Sequence, residues 1–154
     1  MPLNSKMWVY AIKGSFTPEQ YQELNEGLAA FTEEWAAHGT SLDAQFRIVG
    51  NKAVILAVNE ENQAATGCSI DDSTKFFRAF GEKHGLNFFD RLLLHTVSTE
   101  TGDMTSYAPA EIKLAVAEGR LNAHTHVLNT WATTLGESGQ GTVPMGESWA
   151  AKYL

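Results

Sequence analysis

Cysteine is almost missing from this chain. Cys68 is the single one in 154 residues, so no disulfide can close within it. Small secreted domains lean on disulfides, and their absence points to a reducing, cytoplasmic setting. Basic residues are also scarce. Eleven Lys and Arg stand against 18 Asp and Glu, a formal net charge of -7, and no basic stripe is visible. Phosphate backbones need clustered cations, so no nucleic acid is expected as a partner. An anionic membrane surface is not expected as a partner for the same reason. Long apolar runs are lacking too. The longest, "AVILAV" at 53–58, falls far short of the roughly 20 residues that span a bilayer. The opening "MPLNSKMWVYAIKGSF" is a mixed run and does not read as a secretory signal. No G-x-x-x-x-G-K-[ST] loop is present, and no G-x-G-x-x-G in a strand-to-helix turn. Neither G-x-S-x-G nor H-E-x-x-H occurs. The machinery of nucleotide hydrolysis is therefore not visible, and no internal repeat replaces it.

What is present suits a folded domain. Hydrophobic residues make up 44%, enough for a core. "KMWVYAI" at 6–12 is β-branched and aromatic, which predicts a strand. Thr17, Pro18 and Gln20 then form a capping box with Pro at the first helical position. Tyr21, Leu24, Leu28, Phe31 and Trp35 follow at steps of three and four, one apolar helical face. Gly39 offers a stop, with His38 in the last turn. "SLDAQFRIV" alternates apolar and polar residues, a half-buried strand. Gly50-Asn51 reads as a tight turn into "KAVILAVN", a central strand. A second helix is expected over 69–83, capped by Ser69 and ended by Gly85, and a fourth strand over 91–97. The order β-α-β-β-α-β is the split βαβ arrangement of ferredoxin-like folds. The fold class expected is thus α+β: a ferredoxin-like core over 1–100 and a C-terminal α/β appendage over 101–154. The appendage contains a short helix in "APAEIKLAVAEGRL", a short strand in "THVLN", and Trp131, Trp149 and Tyr153 as packing anchors. A sheet of this kind has one face without helices. The appendage or a second subunit must cover it, which makes a homodimer a reasonable partner state.

Chemistry-bearing residues cluster in "ATGCSIDDS" at 65–73. A thiol at a helix N-terminus is biased toward the thiolate, so Cys68 is a candidate nucleophile with His95 or His38 as base. Against this, Asp71 and Asp72 oppose a thiolate, and free cysteine most often serves as a small packing residue. Thr66, Gly67, Ser69, Asp71 and Ser73 form a second candidate, a polar helix entrance that can hold a small polar ligand. The competing explanation is a well-made cap that satisfies only its own backbone. His124 and His126 lie on one side of an extended segment. A stable metal site wants three or four ligands, and the others would have to come from His38, His95, Asp90 or Glu118, so no metal and no cofactor is expected. Of the four tryptophans, Trp35 belongs to the helix core; Trp8, Trp131 and Trp149 can line a pocket, although packing is their commoner role.

Several stretches together carry a resemblance: "WAAHGTSLDAQFRI", "ATGCSIDDSTKFF", "LNFFDRLLL", "AEIKLAVAEGRLNAHTHVLN" and "VPMGESWAAKYL". The chain resembles a small family of bacterial cytoplasmic proteins, widespread in Bacteroidetes and often labelled "ABC transporter ATPase". The likeness spans nearly the whole chain. It implies a cytoplasmic protein without an assigned catalytic residue. The missing Walker A loop and LSGGQ-type signature argue against the ATPase in the label. The expectation is a non-enzymatic binding or regulatory protein recognising a small polar ligand or a protein partner near the loop 66–72. The alternative is a cysteine-dependent hydrolase or transferase built on Cys68.

Overall fold

The computed structural model describes residues 1–138 and 141–154. They form a mixed α+β chain. β1 (Lys6–Ala11) comes first. α1 (Pro18–Glu34) begins with the anticipated box: Gln20 N donates to Thr17 Oγ1 at 3.1 Å and Thr17 N to Gln20 Oε1 at 2.9 Å. Leu24 and Leu28 are its buried stripe. Its end differs from the expected Gly39 stop. Trp35 leaves the helical region with ψ 127°, and the chain turns through a two-residue hairpin, β2 (Ala36–Ala37) and β3 (Thr40–Ser41). His38 and Gly39 both take positive φ, 52° and 77°, the backbone that suits the twist of a two-residue hairpin. Freed from the helix, the Trp35 ring donates from Nε1 to Ser69 O at 2.7 Å.

β4 (Asp43–Val49) and β5 (Ala53–Asn59) form the expected hairpin, with Gly50 and Asn51 at φ 60° and 57° in the turn. β5 is central, with antiparallel β1 and β4 on either side. α2 (Gly67–His84) is capped by Thr66, not by Ser69. Ser69 N donates to Thr66 Oγ1 at 3.2 Å, and Thr66 N donates to Ser69 Oγ at 2.7 Å. Gly85, at φ 68°, ends the helix in the left-handed region as expected. Successive β5 side chains point to opposite faces. Val54, Leu56 and Val58 join Leu24, Leu28, Phe77 and Phe80 in the core under the helices. Ala53 points the other way.

β6 (Leu94–Val97) overturns the four-stranded ferredoxin-like sheet. It does not pair with β1. Its partners are β7 (Met104–Tyr107) and β8 (His126–Leu128), and with β9 (Thr142–Pro144) they make a second sheet in the order β7-β6-β8-β9. The β6–β7 hairpin is local: Leu94 faces Tyr107 and Val97 faces Met104. A short loop loses less entropy on closure than a distant pairing, which favours β7 over β1 as a neighbour. Leu128, Val97 and Met104 pack on Ala11, Ala53, Val9 and Val49. The second sheet therefore covers the face of the first that lacks helices. α3 (Pro109–Ala117) closes the second core, where Leu94, Ile112, Ala115, Val127 and Met145 meet. Trp149 and Tyr153 pack on this second core, while Trp131 is 40% exposed.

The departure of β6 leaves β1 at an edge. The segment 133–135 covers the first part of that edge: Met7 N donates to Thr133 O and Leu135 N to Ser5 O, both at 3.0 Å. Beyond Met7, no described chain segment pairs with it.

Candidate binding cleft

A cleft of about 570 Å³ opens along β1. All six residues of β1 line it. Alternate side chains of a strand point to opposite faces, so a cleft touched by every residue must run along the backbone edge. One wall is the turn after α2, with Phe88, Phe89, Asp90 and Arg91. The other is the segment Thr130–Thr133. Ile70 reaches it from the first turn of α2, His95 from β6 of the second sheet, and Trp149 from the C-terminal 3-10 turn at 149–153.

His95 is the chemically distinctive group. Its residue is 3% exposed, on β6 opposite Ser106 of β7. His95 Nδ1 lies 2.7 Å from Ser106 Oγ. Behind Ser106, the buried Lys52 ammonium donates to Ser106 Oγ at 2.6 Å and to Lys13 O at 2.8 Å. An ammonium only donates. Ser106 thus accepts from Lys52, and its own O–H goes to His95 Nδ1. The reverse tautomer would leave the Ser106 proton without an acceptor. The imidazole proton then sits on Nε2. That atom has no partner among the described residues and is not one of the sealed polar atoms, so it opens to the cleft. Burial pushes the His95 pKa down to about 4, and the Lys52 charge pushes the same way against a weaker opposite pull from Asp90. Burial also lowers Lys52 from its usual range. The cleft therefore presents a neutral, fixed N–H donor at ordinary pH.

The residues singled out from sequence sit differently. Cys68 is exposed, second in α2, and does not line the cleft. His38 lies in the β2–β3 turn. Neither His38 nor His95 is hydrogen-bonded to the Cys68 sulfur among the described residues, and His95 is committed to Ser106. Thr66 and Ser69 use their hydroxyls on each other and on the cap backbone. Ser73 is buried, 2.6 Å from Ile70 O and 2.9 Å from Tyr10 Oη. Gly67 has open space around it, and Asp71 is exposed. His126 Nδ1 is 3.5 Å from Thr142 Oγ1, and His124 is exposed. No group of three His, Cys, Asp or Glu among the described residues is placed to hold a metal. No helix among them is long and apolar enough to cross a membrane.

Sequence reasoning missed Lys52 and Ser106, which meet His95 only through strand register and a turn from the other sheet. The one signal was a lysine heading an apolar strand in "NKAVILAV". No protein-family model, curated protein or solved structure significantly matches the chain. The fold and the cleft define it as an α+β protein of two packed sheets with a groove at the free edge of the first.

Proposed function

We propose that this is a non-enzymatic binding protein whose recognition site is the cleft along β1. The observation that supports it is the His95 donor, held by Ser106 and Lys52 and aimed into a concave space walled by aromatic residues. Concave sites with a few fixed polar groups among apolar walls are the usual form of ligand pockets. The 66–72 loop contributes through Ile70 at the rim, while its hydroxyls serve the helix cap. The half containing β1, α1, β4, β5 and α2 follows the ferredoxin-like order, and the place of that fold's fourth strand is the cleft. The lone cysteine supports a cytoplasmic location, and the quoted stretches support membership of the bacterial family named above. The Cys68 enzyme loses support because its proposed bases are engaged or sit in another turn.

The test is a thermal-shift screen of the full chain with metabolites and short peptides, repeated on His95→Gln and Trp131→Ala. At least one compound stabilises the wild type, and both variants lose most of that shift. Silence across the whole library, or hits that neither variant weakens, would overturn the cleft as the site.

A further inference from the structure

We infer that the occupant of the cleft is an extended acidic peptide segment, added as a strand to the free edge of β1. The inference rests on the cleft being the binding site. In an antiparallel pair a residue directs both its N–H and its C=O to the same side. Met7 N points to Thr133, away from β5. Val9 and Ala11, two and four residues on, point the same way. The Met7 and Val9 carbonyls and the Val9 and Ala11 N–H groups thus face the cleft with no partner among the described residues. These groups span about 10 Å at strand rise. A short extended chain meets them all, continuing the line that 133–135 begins on the same edge. Strand addition uses such main-chain bonds for affinity and pockets for alternate side chains for specificity.

The walls suit that alternation. One set of peptide side chains meets Ile70 and Phe89 on the helix side, where Phe89 packs against Tyr10. The other meets Trp149 and the His95 N–H on the second-sheet side. Charge selects the sequence. Lys6 and Arg91 at the cleft make no ion pair among the described residues. Asp90 accepts from Leu92 N at 3.1 Å and keeps its charge, so the groove lining carries two cations against one carboxylate. Two free cations at one groove, in a chain of net charge -7, favour a peptide bearing carboxylates. A second folded copy is the lesser fit, because the edge lies between two walls rather than on an open rim.

Random heptapeptides displayed on phage are selected against the full chain, and a selected sequence is then titrated as a fluorescein-labelled peptide. Acidic sequences with alternating apolar positions are expected. Methylating every second peptide amide, in the phase that faces β1, weakens binding at least about tenfold, because a lost main-chain bond leaves a buried partner unsatisfied. Methylation in the other phase changes it less than about threefold, because those amides face away from β1. Val9→Pro removes one outward donor and none of the bonds to β5, and it weakens the same peptide. The methylated series uses the unaltered protein and so stands even if that variant folds poorly. Amide exchange at Val9 and Ala11 slows on binding. Metabolite hits that need His95, without any selected peptide, would overturn the peptide and keep the cleft. Loss of both would remove both. Peptide binding blind to the phase of methylation, or a dimer in sedimentation that protects the Val9 amide, would also overturn it.

Discussion

His95 is a base kept from its proton. Its pKa in the fold is lowered to about 4 from an ordinary 6.5, first by burial and then by Lys52. Between those values the unfolded chain binds the proton and the folded one does not. Stability from this group is therefore complete above about pH 6.5 and drains as pH falls toward 4, by up to about 3 kcal/mol. Urea titrations at pH 7, 5.5 and 4.5 should show the decline, and His95→Gln should flatten it. NMR titration of the imidazole in Lys52→Met should give a higher midpoint than in the wild type, and an unchanged midpoint would remove Lys52 from the account. Cys68 carries a different expectation. Its side chain is exposed in the first turn of α2, so iodoacetamide modifies it in the native protein at pH 8 without denaturant. Cys68→Ser keeps cleft binding and costs less than about 0.5 kcal/mol, the usual range for a surface change. A loss of cleft binding in that variant would return the thiol to the site.

The start of α1 and the end of α2 were legible, because their signals are local. Thr17 with Gln20, and Gly85 after Lys83 and His84, act within one turn of the residues that they cap. The α2 box was displaced by three residues because Thr66 and Ser69 both qualify as caps, and only packing decides. Ser69 is buried under Trp35, which favours it inside the helix. Of the short strands, β8 was legible in "THVLN", and β7 and β9 were not. "MTSY" and "TVP" hold too few residues for a period to appear, and their pairing depends on β6 being available. Gly39 misled because a helix stop and a hairpin turn both ask for positive φ. The end of α2 allows a sharp comparison. A Cβ on Gly81 would run into the Leu86 carbonyl oxygen, a backbone obstacle that cannot swing aside. A Cβ on Gly85 meets open space and bears only the strain of φ 68°. Gly85→Ala should cost about 1 kcal/mol, and Gly81→Ala more, about 2–3 kcal/mol as overpacking does. Chemical denaturation of the two variants checks the order, and equal costs would mean that the 81–86 turn yields.

At the scale of the molecule, two sheets share one small apolar seam. Leu128 of the second sheet sits on Ala11 and Ala53 of the first, with Val97 and Met104 beside it. The Lys13–Glu111 ion pair also crosses between the halves, at 2.6 Å with both side chains about half exposed, and exposed pairs contribute little. The seam therefore carries the coupling, together with the buried Lys52–Ser106 hydrogen bond and the pairing of 133–135 along β1. The cleft is built from both halves, β1 and the α2 turn on one side and His95, Trp131 and Trp149 on the other. Its shape depends on their fixed relation. Leu128→Ala removes a side chain that is 4% exposed and should cost about 2–4 kcal/mol as a buried truncation. In the wild type labelled with 5-fluorotryptophan, the fluorine NMR signals of Trp35 in the first core and Trp149 on the second should be lost at the same urea concentration. In Leu128→Ala the two midpoints should separate, and ligand should be lost at the lower one, where half of the groove melts while the other half still stands. Coincident midpoints in that variant would mean that the polar ties, the β1 edge pairing and the buried Lys52–Ser106 bond, hold the two sheets together rather than the apolar seam.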